Sequence, residues 1–156
     1  MYIAVVFLFM LILPVGSLAV EMSLHGQVPL MFLVGKWFVF WGVGARLASA
    51  GVRQYFQPAF TAKQIFDMES PDALPLVREL GVSNFAIGIV ALTSLWRSDF
   101  TLPLAIIAAI FYAIAGVRHV AEKARSRNEN IAMISDLFMA AILASYAVSA
   151  LNGLIV

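Results

Sequence analysis

The stretch YIAVVFLFMLILPVGSLAV, residues 2–20, contains no charged side chain and is long enough to cross a bilayer. A membrane-spanning helix needs about 20 apolar residues, because the hydrocarbon core of a bilayer is about 30 Å thick. We therefore predict a first transmembrane helix over residues 2–20. A cleavable secretory signal is the alternative, because Ser17 and Ala19 could occupy the small-residue positions of a cleavage site, although the positively charged start of a signal is missing.

The whole chain has the composition of a protein whose main solvent is lipid. Of its 156 residues, 62% are apolar and 12% are charged. An ordinary soluble domain has roughly 45–50% apolar and about 25% charged residues, because polar side chains must cover its surface. The composition therefore excludes a water-soluble globule, and we expect no separate soluble catalytic domain.

Four further apolar stretches predict four further membrane spans. They lie at about 29–51, 80–96, 101–118 and 131–152, and a segment at about 53–70 mixes aromatic and charged side chains in the way that is typical of a membrane interface. We predict an all-α fold, an integral membrane helical bundle with five transmembrane helices in a single domain over residues 1–156. Cleavage of the N-terminal segment would leave four.

Several classes of function are disfavoured by the composition. The net charge is +1 and the ten Lys and Arg residues are dispersed, so no nucleic acid partner is expected. The lack of cysteine excludes disulfides, a thiolate nucleophile, Cys-ligated zinc and an iron–sulfur cluster. No GxSxG, HxxxH or ExxH motif occurs, and no second close-spaced ligand supports a metal site at His119. We therefore predict no catalytic residue, no metal and no cofactor, and we favour a protein that is not an enzyme.

Lys and Arg are distributed unevenly between the two ends of such a bundle. One end, which we call the basic end, carries Arg46, Arg53, Lys63, Arg78, Arg118, Lys123, Arg125 and Arg127, whereas the other carries Lys36 and Arg97. Basic residues accumulate on the cytoplasmic side of membrane proteins. This ratio of eight to two predicts a cytoplasmic N-terminus and a C-terminus on the outside.

Small residues recur at helical spacing in the last three spans. The aligned sets are Gly81, Asn84 and Gly88; Ala105, Ala109, Tyr112, Gly116 and His119; and Asp136, Ala140, Ala144 and Ala147. Spacings of three, four and seven residues place each set on one face of its helix. Membrane helices associate where small residues let their backbones approach, so these faces predict the seams of the bundle.

Polar side chains lie on or near these seams, towards the basic end. The candidate ligand-binding residues are Arg46, Glu79, Asn84, Tyr112, His119 and Asp136. Ionisable groups at membrane depth are costly and normally face a partner or a cavity, which makes a functional site the leading hypothesis for such a cluster. We predict a small cavity, with His119 and Tyr112 on one wall and Asp136, Asn84 or Glu79 opposite.

Each of these residues also has a purely structural explanation. Arg46 could form an ion pair, with Asp136 as the first choice of partner and Glu79 as the second. Asn84 could form hydrogen bonds between helices, and His119 could interact favourably with the C-terminus of its helix.

The stretch WGVGARLASAGVRQYFQPAFTAKQIF, followed by RELGVSNFAIGIVALTSL and FYAIAGVRH, resembles a bacterial family of small multi-pass membrane proteins known only as a domain of unknown function. The resemblance covers about residues 37–119. More distantly, the span with arginine and glycine and the later Glu-Leu-Gly helix resemble DoxX-type proteins, some of which are small subunits of quinone-linked oxidoreductases. DoxX-type proteins usually have four spans, and the N-terminal helix departs from that pattern. The resemblance implies a bacterial cytoplasmic (inner) membrane as the location.

Three functional hypotheses follow. The favoured one is a non-catalytic subunit or accessory protein of a membrane complex. The alternative is a binder of, or an enzyme acting on, a lipid-soluble small molecule such as a quinone or an isoprenoid at the polar cluster. The third is a transporter formed by an oligomer, because five spans contain no duplicated half. The expected partners are the lipid bilayer, further copies or other subunits of a complex, and a lipid or quinone ligand.

Overall fold

Apolar segments that cross a membrane become helices, because each backbone N–H and C=O must find its partner within the segment. In the computed structural model, which describes residues 2–122 and 125–154, all regular structure is helical. Helix α1 comprises Tyr2–Phe7, Leu8–Ile12 and Leu13–Leu24, and α2 comprises Leu30–Trp37, Phe38–Ala45 and Arg46–Phe56. The others are α3 (Pro58–Gln64), α4 (Ala73–Leu92), α5 (Thr101–Ala121) and α6 (Arg127–Leu151). The all-α fold class is confirmed.

Five of these helices are long and apolar enough to cross a membrane, as predicted. With the short 3₁₀ turns that extend two of them, the candidate spans are Ile3–Leu24, Leu30–Phe56, Ala73–Leu95, Ser98–Ala121 and Arg127–Leu151. The chain therefore has the makeup of a multi-pass membrane protein. Lys123, one of the eight basic residues counted at the basic end, lies outside the described residues.

The observed helices extend beyond the apolar stretches seen in the sequence. Helix α2 continues to Phe56, so the first residues of the predicted interfacial segment at 53–70 belong to the second span. The helix stops before Pro58, which has no N–H to donate and opens the short helix α3. Helix α4 begins at Ala73, directly after Ser70-Pro71-Asp72 and seven residues before the apolar part predicted at 80–96, because a helix can continue past the hydrocarbon with polar residues.

Helices α2 and α4 pack with their backbones in close contact. A Cβ atom placed on Gly51 would lie 2.5 Å from the Gly81 carbonyl oxygen, and one on Gly81 would lie 2.9 Å from the Gly51 carbonyl oxygen. Seven residues further along α4, which is about two turns, Gly88 meets the backbone of Ala48. Only residues without a side chain allow two helix backbones to approach this closely. The predicted small-residue face of α4 is therefore a packing seam.

Helices α5 and α6 pack against each other and against α2 around an apolar centre. Val39 and Val43 of α2 meet Met139 and Leu143 of α6, and all four are fully buried. From α5, the buried members of the predicted seam are Ala105, Tyr112, Gly116 and His119. On α6, Ala140 and Ala147 are buried as predicted, whereas Ala144 is exposed, because the helix turns that position towards lipid.

Helices α1 and α2 form a hairpin joined by polar contacts at the end opposite to the basic end. The Lys36 Nζ atom lies 2.7 Å and 2.8 Å from the two carboxylate oxygens of Glu21. The Trp37 indole also donates to Glu21, at 2.7 Å, and the Trp41 indole donates to the Ser17 hydroxyl at 3.0 Å. The charge of Lys36 is thus neutralised within the hairpin.

The α2–α4 seam gives a first prediction, the substitution Gly51→Ala. A single methyl group would overlap backbone atoms of α4, so the helices must separate, and we expect a loss of about 1–3 kcal/mol of stability. The measurement is the thermal unfolding temperature of the purified protein in detergent. The matched control is Gly16→Ala, where no atom lies within 4 Å of the added carbon. Equal unfolding temperatures for the two variants would contradict this view of the seam.

Candidate functional site

The second half of α2 presents a mostly polar stripe to a cavity at the basic end of the bundle. Its members are Arg46, Ser49, Ala50, Arg53, Gln54 and Gln57, separated by one residue or by three. Residues spaced by three and four lie on one face of a helix, so the whole stripe points in one direction. It lines a cavity of about 370 Å³ at the basic end.

The other walls of this cavity come from the remaining helices. The lining includes Val5 of α1, Phe60 and Thr61 of α3, Leu80 and Asn84 of α4, Phe111, Tyr112, Ala115 and His119 of α5, and Ala132 and Asp136 of α6, with Ile65 and Phe66 after α3. Five of the six candidate residues from the sequence therefore share one cavity: Arg46, Asn84, Tyr112, His119 and Asp136.

Glu79, the sixth candidate, is exposed and does not line the cavity. It lies five residues before Asn84 on the same helix. At about 100° per residue, five residues place the two side chains about 140° apart around the helix axis. Glu79 therefore has the right depth but the wrong face, and Asp136 is the carboxylate that shares the cavity with Arg46.

Tyr112 connects the cavity to an irregularity in α2. Its hydroxyl donates a hydrogen bond to the Gly42 carbonyl oxygen at 2.8 Å, and its side chain is buried. Gly42 lies in the π-helical segment Phe38–Ala45, where the wider turn alters the usual backbone pairing. This hydrogen bond holds α5 against α2 one helical turn before Arg46, the first residue of the polar stripe. A phenol that donates one hydrogen bond can still accept another.

His119 is oriented by a residue that the sequence did not single out. Its Nδ1 atom lies 3.4 Å from the Oε1 atom of Glu129, and both side chains are buried. Glu129 also forms a capping box with Ser126 at the start of α6. With Nδ1 turned towards this carboxylate, Nε2 is the ring nitrogen available to the cavity. The S-x-x-E pattern at residues 126–129 was the signal that could have revealed Glu129.

Asn84 has an acceptor that none of the described residues satisfies. Its Nδ2 atom donates to the Gln54 Oε1 atom at 2.8 Å across the α2–α4 seam. Its Oδ1 atom is buried and has no hydrogen-bond partner among residues 2–122 and 125–154. A buried acceptor without a donor costs about 1–3 kcal/mol, so such an atom calls for a donor from outside the chain.

The charged groups of the cavity are unequally balanced. Asp136 interacts electrostatically with Arg46 across the cavity, and both are half-buried. The Arg53 guanidinium lies 3.5 Å from the ring centre of Phe60, in a cation–π contact. Within the described part of the chain, no carboxylate oxygen lies within 4 Å of Arg53. The lining thus carries two arginines against one aspartate.

The arrangement suits a small molecule better than a metal ion. Among the described residues, no three His, Cys, Asp or Glu side chains come close enough to hold a metal together. The cavity instead combines hydrogen-bonding groups with the aromatic rings of Phe60, Phe66 and Phe111. Sites for organic ligands typically have this mixed lining and volumes of about 300–1,000 Å³.

The fold and the cavity define a five-span helical membrane protein with a partly polar cavity at one end of the bundle. The chain belongs to DUF6790, a family of unknown function whose model matches residues 1–154. No curated protein and no solved structure matches the chain. The predicted resemblance to a family of unknown function is therefore confirmed, and it extends over nearly the whole chain rather than over residues 37–119.

The cavity gives a second prediction, which concerns Arg46 and Asp136. Arg46→Leu should destabilise the protein, because it leaves the carboxylate of Asp136 without its opposing charge. The loss should lie between the about 0–1 kcal/mol of an exposed pair and the about 3–5 kcal/mol of a fully buried one. Asp136→Asn in the same chain should restore part of the loss, as measured by thermal unfolding in detergent.

Glu79→Gln is the matched control for this rescue, because Glu79 is exposed on the opposite face of α4. It should not compensate for Arg46→Leu. If the double variant Arg46→Leu/Asp136→Asn is no more stable than Arg46→Leu alone, Arg46 and Asp136 do not stabilise the protein as an ion pair.

Proposed function

We propose that the protein binds a lipid-soluble small molecule in the cavity at the basic end. The observation that carries this proposal is the cavity itself, whose mixed polar and apolar lining includes Asn84, a buried residue with an Oδ1 atom that lacks a donor among the described residues. A ligand with a hydrogen-bond donor, or a water molecule held beside a ligand, would satisfy this atom.

The distribution of polar and apolar groups favours an amphiphile such as a quinone or an isoprenoid. One side of the cavity is the stripe from Arg46 to Gln57, and His119 adds a ring nitrogen that can form a hydrogen bond. The other side has aromatic and aliphatic walls, including Phe66 and Leu80. A polar head would lie against the stripe while the apolar part contacts these walls. Binding alone accounts for these features, so the proposal does not include catalysis.

The resemblance to DoxX-type proteins supports a role beside a larger complex. Some DoxX-type proteins are small subunits of quinone-linked oxidoreductases. A subunit that binds a lipid-soluble molecule would be consistent both with this resemblance and with the presence of the cavity. The non-catalytic subunit therefore remains a compatible hypothesis, and the oligomeric transporter stays a prediction.

The proposal includes a location in a bacterial cytoplasmic membrane, with the basic end in the cytoplasm. The uneven distribution of Lys and Arg supports this orientation. The resemblance to a bacterial family supports the choice of membrane. In this orientation the cavity lies near the cytoplasmic headgroups.

Filling the cavity provides a third prediction. Ala115→Phe places a ring in the cavity, so the variant should lose a small molecule that co-purifies with the native protein. The measurement is native mass spectrometry, followed by extraction and mass analysis of whatever is released. Ala141→Phe, at an exposed position on α6, is the matched control and should keep the molecule.

If the native protein and both variants release the same molecules in the same amounts, the cavity is not their binding site. Recovery of no small molecule from the native protein in mild detergent, together with no binding of added quinone or prenol, would overturn the proposed function.

Reporter fusions test the orientation, which is the fourth prediction. A reporter that works only in the cytoplasm should be active when it is inserted in the 118–130 loop. A reporter that works only outside the cell should be active when it is fused after Val156, a residue outside the described part of the chain. The physical reason is the excess of basic residues at the basic end. An external location of the 118–130 loop would reverse the orientation.

A further inference from the structure

We infer that the molecule bound in the cavity has an anionic, phosphate-class head and a hydrocarbon chain, and that this chain lies in an apolar groove between α1 and α6. The inference rests on the proposed function and names the chemical class of its ligand. It also assigns a role to Arg53 and to a surface that the cavity alone does not explain.

The charge of the cavity is the evidence that the ligand has an anionic head. The one aspartate of the lining, Asp136, interacts electrostatically with Arg46, and no carboxylate oxygen of a described residue lies within 4 Å of Arg53. The guanidinium of Arg53 lies over the face of Phe60, which leaves the N–H groups at its edge to donate hydrogen bonds. Planar guanidinium groups bind phosphate and carboxylate oxygens through such paired hydrogen bonds. A neutral quinone would not provide a counter-charge for Arg53.

The apolar groove between α1 and α6 is the evidence for the position of the hydrocarbon chain. It has a volume of about 260 Å³ and is lined by Val6, Phe7, Met10 and Leu11 of α1 and by Ile131, Ile134, Ser135 and Phe138 of α6. Its one hydroxyl, that of Ser135, already donates to the Ala132 carbonyl oxygen at 2.9 Å. The groove therefore offers a ligand only apolar contact, which suits a hydrocarbon chain.

The cavity and the groove adjoin along the same two helices. On α1, Val5 lines the cavity and Val6 lines the groove; on α6, Asp136 lines the cavity and Ser135 lines the groove. Helix α1 is also the least buried of the five spanning helices described. In the proposed pose, the hydrocarbon chain leaves the cavity at these neighbouring residues and lies in the groove, while the head remains beside Arg53.

Binding of three matched compounds to the full-length protein in detergent tests the inference. The probes are geranylgeranyl phosphate, the alcohol geranylgeraniol, and inorganic phosphate. The phosphate ester should bind about tenfold more tightly than the alcohol, because one charge-assisted hydrogen bond accounts for a difference of this size. Inorganic phosphate should bind more weakly than the ester, because it lacks the chain. A lysophospholipid with a phosphate head serves as a second arm, to distinguish an acyl chain from a prenyl chain.

Arg53→Gln tests the head. This variant should bind geranylgeranyl phosphate about tenfold more weakly and the alcohol within about twofold of the native protein. Arg53→Lys should keep most of the preference for the phosphate ester, because it keeps the charge. Arg78→Gln is the matched control, an exposed arginine at the same end that does not line the cavity.

Ile134→Trp tests the chain. The larger side chain should obstruct the groove and weaken the binding of both chain-bearing compounds without changing the binding of inorganic phosphate. Ile134 is 63% exposed, so the change does not disturb the interior. The matched control is Ile114→Trp, at a position on α5 that is 66% exposed and outside the groove.

The outcomes separate the inference from the proposed function. Equal affinities for the ester and the alcohol, unaffected by Arg53→Gln, would overturn the anionic head and leave the binding of a lipid-soluble molecule in place. Equal effects of the two tryptophan variants would overturn the groove as the site of the chain. Binding of inorganic phosphate as tightly as the ester would identify a phosphate site without a lipid ligand.

Discussion

The contact between the backbones of α2 and α4 is the constraint on which the cavity depends. Gly51 and Gly81 allow the two helices to touch, and this contact brings Gln54 within hydrogen-bonding distance of Asn84. The same approach turns the polar stripe of α2 towards the interior rather than towards lipid. In a membrane, helices gain little from burying apolar side chains against each other, so a backbone contact of this kind determines which polar groups face inward.

The π-helical segment of α2 lies in the apolar centre of the bundle and is followed directly by the part of the helix that lines the cavity. Phe38–Ala45 carries Gly42, whose carbonyl oxygen accepts the hydrogen bond from Tyr112. Within the segment, Val39 and Val43 belong to the apolar centre of the bundle; directly after it, Arg46 belongs to the cavity. Helix α2 thus contributes both to the apolar centre of the bundle and to one wall of the cavity. A small chain can therefore contain a cavity and still have a well-packed centre.

The number of helices and most of the cavity could be predicted from apolar length and helical spacing. Tyr112 and His119 are seven residues apart on a face of small residues, and the structure buries both. Glu79 was chosen for its depth alone, and depth does not determine the face of the helix. The sequence places Arg53 and Gln54 in an interfacial segment, because aromatic residues surround them. The helical spacing of three and four residues that connects them to Arg46 is therefore not evident from the sequence. Glu129 approaches His119 only through the turn between α5 and α6, which spacing along a single helix cannot reveal.

The polar hairpin of α1 and α2 has a consequence for how the chain is made. A lone lysine at the centre of a membrane helix raises the free energy of insertion by about 2.5–3.5 kcal/mol. Lys36 instead lies against Glu21, and Trp37 and Trp41 add hydrogen bonds to the same hairpin. The two helices can leave the translocation machinery as one unit in which Glu21 balances the charge of Lys36. Biogenesis would then begin with this pair, and the remaining three spans would assemble against a hairpin that is already in the bilayer.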